Sequence, residues 1–85
     1  MLIIDSGLLL FPNPANTTIS VVLENTVLNP TLKITNILGQ VVYNQTLEGM
    51  QKAFGKINIS NLDNGVYVIS ISNDKYRSVS KFVKQ

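Results

Sequence analysis

Apolar and polar residues alternate along most of this chain with a period of two. Ile19, Val21 and Leu23 interleave with Thr18, Ser20 and Val22, and Leu32 and Ile34 with Lys33 and Thr35. Ile57 and Ile59 interleave with Lys56, Asn58 and Ser60, and Tyr67, Ile69 and Ile71 with Val68, Ser70 and Ser72. A strand turns successive side chains to opposite faces, so the pattern predicts strands that are buried on one side and wet on the other. Seven are expected, near 7–11, 17–23, 31–36, 40–47, 55–60, 65–73 and 76–84. Their short, regular spacing favours a sandwich or barrel over βαβ units. No window supports a useful helix: over 40–53 a helical stripe strands Gly49 mid-segment and splits the valines.

The residues between these runs carry turn chemistry. Asn36-Ile37-Leu38-Gly39-Gln40 supplies a glycine where a hairpin needs positive φ. Asp63-Asn64-Gly65 and Asn73-Asp74 are further turn formers. Gly49 and Gly55 bracket Met50 to Phe54, which reads as a loop with Phe54 folding back onto the core. Leu62-x-x-Gly65-x-Tyr67 stands at the start of the longest apolar run. A tyrosine at such a corner of a Greek-key sandwich bonds its hydroxyl to nearby backbone, with an upstream leucine packed beneath. Tyr67 shares parity with Ile69 and Ile71, as that role requires.

Composition narrows the picture. Eighty-five residues make one small domain, which buries only about 60–65% of its unfolded surface. Charged residues make up 14%, well under the usual share. Asn, Ser and Thr take their place, with ten Asn, a surface chemistry common on extracellular β-domains. There is no Cys, so no disulfide staples the fold, although that alone does not place the chain in a reducing compartment. A net charge of +2 is too small to imply nucleic acid. Lys75, Arg77, Lys81 and Lys84 fall in the last eleven positions. That local excess either attracts an anionic partner or keeps a solvated last strand from pairing edge to edge.

The first ten residues, MLIIDSGLLL, lack the basic start and unbroken apolar core of an export signal. No run is long enough for a membrane helix. The expectation is a cytosolic protein or a piece of a longer exported one.

Catalytic chemistry is sparse. With no His and no Cys, the usual triads and zinc sites are excluded. Asp5, Glu24, Glu48, Asp63 and Asp74 each stand apart from other acids, and Asp63-Asn64-Gly65 lacks the remaining ligands of a calcium loop. No glycine-rich phosphate loop follows a strand. Phe11, Tyr43, Phe54, Tyr67, Tyr76 and Phe82 mostly fit core parity and form no exposed stacking row. The chain reads as a non-enzyme without cofactor or metal. Asn-x-Ser/Thr triplets at Asn16, Asn44 and Asn58 are what a chain rich in these residues produces by chance.

Four stretches, in order, carry a resemblance. Phe11-Pro12-Asn13-Pro14-Ala15-Asn16 resembles the YPNPA(N/D) opening of the type IX secretion system C-terminal sorting domains. Leu32 to Val42, with Gly39-Gln40, resembles that family's strand–GQ–strand hairpin. Ile57 to Tyr67, with Leu62, Gly65 and Tyr67, resembles its I-x-x-L-x-x-G-x-Y corner. Ser80-Lys81-Phe82-Val83-Lys84-Gln85 resembles its basic–apolar ending. Phe11 stands where tyrosine is commoner, which leaves the aromatic role intact.

The resemblance implies an all-β, immunoglobulin-like antiparallel β-sandwich of about seven strands with Greek-key connections. It implies a non-catalytic secretion signal at 7–85, with residues 1–6 as the linker tail of a missing passenger. The implied partners are the outer-membrane translocon and a sortase of a Gram-negative bacterium, with the cargo ending at the cell surface or in the medium. Pro12 and Pro14 are expected to end the first strand and hold 12–15 extended, so that the chain crosses to the other sheet uncaptured. The same rigid, donor-poor segment is a low-entropy surface for a receptor to read. Pro12, Asn13 and Pro14, with an exposed Lys81, Phe82, Val83, Lys84 and Gln85, are the recognition candidates. Lys81 and Lys84 differ in parity, so a regular strand points them to opposite faces. An adhesive or carbohydrate-binding module and a fibronectin-like spacer are the alternatives, and Gly7–Phe11 carries a risk of edge-strand homodimers.

Overall fold

The alternating runs close into two antiparallel sheets. The structure, a computed structural model, describes residues 8–85; the linker assigned to 1–6 and the strand start at Gly7 lie outside the described residues. The strands are β1 (Leu8–Phe11), β2 (Thr18–Leu28), β3 (Thr31–Thr35), β4 (Val41–Thr46), β5 (Met50–Asn58), β6 (Gly65–Ser72) and β7 (Arg77–Lys84). One sheet has the order β1-β2-β5 and the other β4-β3-β6-β7. The chain changes sheet after β2, β4 and β5, which is the Greek-key connectivity of an immunoglobulin-like sandwich.

The registers place the inward set. Ile19 pairs with Ile57, Leu32 and Ile34 with Ile71 and Ile69, and Tyr67 with Phe82. All of these belong to one core cluster, joined by Val21, Leu23, Val27, Ile59 and Ala15. Each such large side chain contributes about 1.5–3 kcal/mol on burial. Tyr67 and Phe82 stack with ring centroids 5.5 Å apart.

The turns form as their residues require. At the β3–β4 turn the Asn36 side-chain oxygen accepts the N–H groups of Leu38 (2.9 Å) and Gln40 (3.0 Å), and Gly39 takes φ +83°. At the corner before β6 the Tyr67 hydroxyl donates to the Asp63 carbonyl at 2.6 Å, with Leu62 half-buried against the core.

Two strands exceed expectation. β2 continues past 23 to Leu28, and β5 begins at Met50 where a loop was expected. The reason is the same in both: the ladder is irregular. Between the pairs Val22–Ala53 and Val27–Gln51, residues 23–26 face Lys52 alone. Phe54 is an extra residue between Val21–Gly55 and Val22–Ala53, and Gly55 takes φ +72° beside it. Bulges break the local period of two without ending the pairing. Phe54 does pack against the core as expected.

The segment at 12–15 also departs from expectation. β1 ends at Phe11, but residues 12–14 bend rather than run extended, and both X–Pro bonds, Phe11–Pro12 and Asn13–Pro14, are cis. The chain reaches the other sheet here through Ala15 but does not stay in it, since β1 and β2 are neighbours in one sheet. Nor does it pass uncaptured, because Ala15 forms a parallel bridge with Lys84 of β7. The backbone groups of Ala15, left without partners in β1 or β2, find them there.

Candidate functional site: a corner clasped to the last strand

The two segments singled out at opposite ends of the sequence lie side by side. The Ala15 N–H donates to the Val83 carbonyl at 2.7 Å, and the Gln85 N–H donates to the Ala15 carbonyl at 2.8 Å. Prolines at 12 and 14 have no N–H to offer, and between them Asn13 makes its link through the side chain. Its Oδ1 accepts the Val83 N–H at 3.0 Å, and its Nδ2 donates to the Lys81 carbonyl at 3.4 Å. The amide therefore reads β7 as a neighbouring strand would, one acceptor and one donor along its edge. Ala15 is only 1% exposed; a longer side chain would collide with the core that β7 closes over it.

The five residues 81–85 do not form one exposed tail. Lys81 faces solvent, Val83 is half-buried, Phe82 is 1% exposed and Lys84 is 7% exposed. The expectation of a wholly exposed Lys81–Gln85 is corrected on those grounds. The parity argument itself holds, with Lys81 outward and Lys84 inward. Lys84 fits inside because its cross-strand partner is Gly65 and its other neighbour is Ala15. Those small residues leave room for the methylene stem, and the ammonium reaches out to the Gln85 carbonyl at 3.4 Å.

The remaining motif residues gather at the same end. Gly65 faces Lys84 and Val66 faces Val83 across the β6–β7 ladder. A groove of about 270 Å³ separates Asn36–Leu38 from Asp63–Tyr67, so the Gly39 turn adjoins the tyrosine corner. Ile37 and Leu38 project there with 80% and 78% of their surface exposed. Sequence reasoning did not assign Ala15 a role in the site. The available signal was a residue with free backbone groups directly after two prolines. It also missed Ile37 and Leu38, adjacent apolar residues in a turn with no core to enter.

Among the described residues, no group of three or more His, Cys, Asp or Glu side chains converges on a metal position, and no helix is long and apolar enough to cross a membrane. What the site presents is two bent prolines, an exposed Phe11 and Lys81, and a backbone clasp that fixes them relative to each other.

This corner sits at one end of a seven-stranded immunoglobulin-like sandwich. Residues 9–85 match the family model of the secretion system C-terminal sorting domain, and the chain belongs to that family, the sorting domains of type IX secretion. A solved structure of PorZ, an essential bacterial surface component of the type IX secretion system of Porphyromonas gingivalis, superposes with a TM-score of 0.69 over 93% of this chain. The identity is 16%, so that likeness speaks for the fold. This chain spans 11% of the length of that one. Among curated proteins, none matches the chain.

Proposed function

We propose that this domain is the non-catalytic export label of a longer polypeptide, read by the type IX translocon through the clasped corner of Pro12, Asn13 and Pro14 and the end of β7. Residues 7–85 are the sorting domain and residues 1–6 the tail of a linker from an upstream passenger. The passenger is carried across the outer membrane of a Gram-negative bacterium to the cell surface or medium. A sortase then cuts upstream of the domain.

The observation that carries this reading is the clasp, in which Asn13 and Ala15 bind β7 from about seventy residues away in sequence. It makes one preformed surface out of two family motifs, with Lys81 as its exposed cation. A preformed surface loses little conformational entropy on recognition. The absence of His and Cys from the sequence supports a signal over an enzyme.

The test is a fluorescent reporter carrying a periplasmic signal peptide in front of this chain, expressed in a type IX-competent cell. Export of the intact fusion is expected, with retention after Lys81→Glu at unchanged thermal stability. If a fusion lacking 81–85 reaches the surface as well as the parent does, recognition does not involve β7.

A further inference from the structure

Among the described residues each sheet has two free sides, and three of the four are obstructed. β1 has four residues and runs directly into Pro12. β5 carries Lys52 and Lys56 and the Phe54–Gly55 bulge. β7 carries Arg77, Lys81 and Lys84, and its end is already taken by Ala15. Charge, proline, bulges and covering segments are the devices by which edges avoid further pairing. β4 reads VVYNQT, with no charge and no proline.

The backbone of β4 is set to receive another strand. The Leu47 N–H donates to the Pro30 carbonyl at 3.0 Å, on the β3 side. In an antiparallel ladder the N–H and C=O of one residue point the same way and alternate along the strand. Asn44 and Thr46 therefore turn theirs outward, and both residues are exposed. The Thr31–Thr46 hydroxyl contact at 2.9 Å holds that end of β4 against β3. Beside this edge runs a groove of about 330 Å³ lined by Val42, Tyr43 and residues 58–62. Val42, Tyr43 and Leu62 supply apolar surface over the buried Ile59; Asn58, Ser60 and Asn61 supply a polar rim, and no lining residue is charged.

We propose that the β4 edge and its groove dock an extended, uncharged β-strand of a partner protein, with an apolar side chain at every second position. Alternating donors and acceptors on a strand edge are matched in register by another extended backbone. The groove lies on the inner side of that edge and takes the apolar side chains that point inward. A second copy of β4 fits less well. Its own inward residues are committed, Tyr43 to its core and Gln45 to the Tyr43 hydroxyl at 3.0 Å, so the groove would stay empty. This surface lies across the sheet from the clasp, so the proposal stands apart from the reading of the Pro12–β7 corner.

The test is a titration of the isotope-labelled full chain with a capped peptide alternating threonine with valine or isoleucine. A twin peptide N-methylated at every second residue serves as control. The proposal expects saturable amide shifts centred on Val41–Thr46 and residues 58–62, absent with the twin. Asn44→Pro is expected to weaken binding about tenfold or more by removing an outward donor. In case proline disturbs β4 itself, Asn44→Lys provides the same loss through an edge charge with the strand intact. Equal binding of the twin, shifts centred on β1, β5 or β7, or no shift up to about millimolar peptide overturns the proposal. So does concentration-dependent dimerisation of the free chain that Asn44→Lys abolishes, which assigns the edge to a second copy.

Discussion

The four-stranded sheet ends in opposite ways on its two sides. At β7 a segment from the start of the domain lies over the edge. Ala15 takes the place of a neighbouring strand, the Asn13 amide extends it, and Lys81 stands outside as a charge. At β4 nothing among the described residues covers the backbone, no charge guards it, and an uncharged groove runs alongside. The contrast teaches that the two proposed recognition surfaces are built in opposite ways. One is finished by the protein itself and is read as a shape. The other is left open and is read by being completed.

Substitutions that attack the closed side should have the largest effects. Phe82→Ala removes a fully buried ring stacked on Tyr67 and is expected to destabilise the domain by about 3–5 kcal/mol in chemical unfolding. Ala15→Leu places a bulky side chain where β7 closes on the core; overpacking of this kind costs about 1–3 kcal/mol. A midpoint equal to wild type would mean that the clasp is not a packed junction. Tyr67→Phe keeps the ring and loses the bond to the Asp63 carbonyl, for about 1 kcal/mol. Asn13→Ala leaves the Val83 N–H to water, costs about 0.5–1.5 kcal/mol, and should speed hydrogen exchange at Val83. On the open side, Asn44→Lys should change stability by less than about 0.5 kcal/mol. Hydrogen exchange sharpens the comparison without any mutation: the Ala15 and Gln85 amides should be protected, and those of Asn44 and Thr46 should exchange freely.

Much of this fold was legible because alternation is a local signal. β3, β6 and β7 appear close to their expected bounds since each pairs without interruption along β6. The tyrosine corner was legible too, because Leu62, Gly65 and Tyr67 all act within one turn. β2 and β5 were read short because their shared ladder slips twice, and a slip resets the parity on which the reading depends. The clasp was only half legible. Both of its segments were singled out, but their contact joins residues far apart in the chain, and neither segment's pattern encodes the other. Burial of Lys84 was hidden for a related reason: it follows from Gly65 and Ala15 being its neighbours, which only the assembled ladder supplies.

The parallel bridge between Ala15 and β7 has a mechanical consequence. A tow on the leading end of the domain, resisted at its trailing end, pulls Ala15 and Val83 past one another along the strand axis. The Ala15–Val83 and Gln85–Ala15 bonds lie across that axis, so they share the load and must rupture together instead of opening in turn. On the proposed reading, with a passenger upstream, a tug that has passed β1 meets this shear junction next.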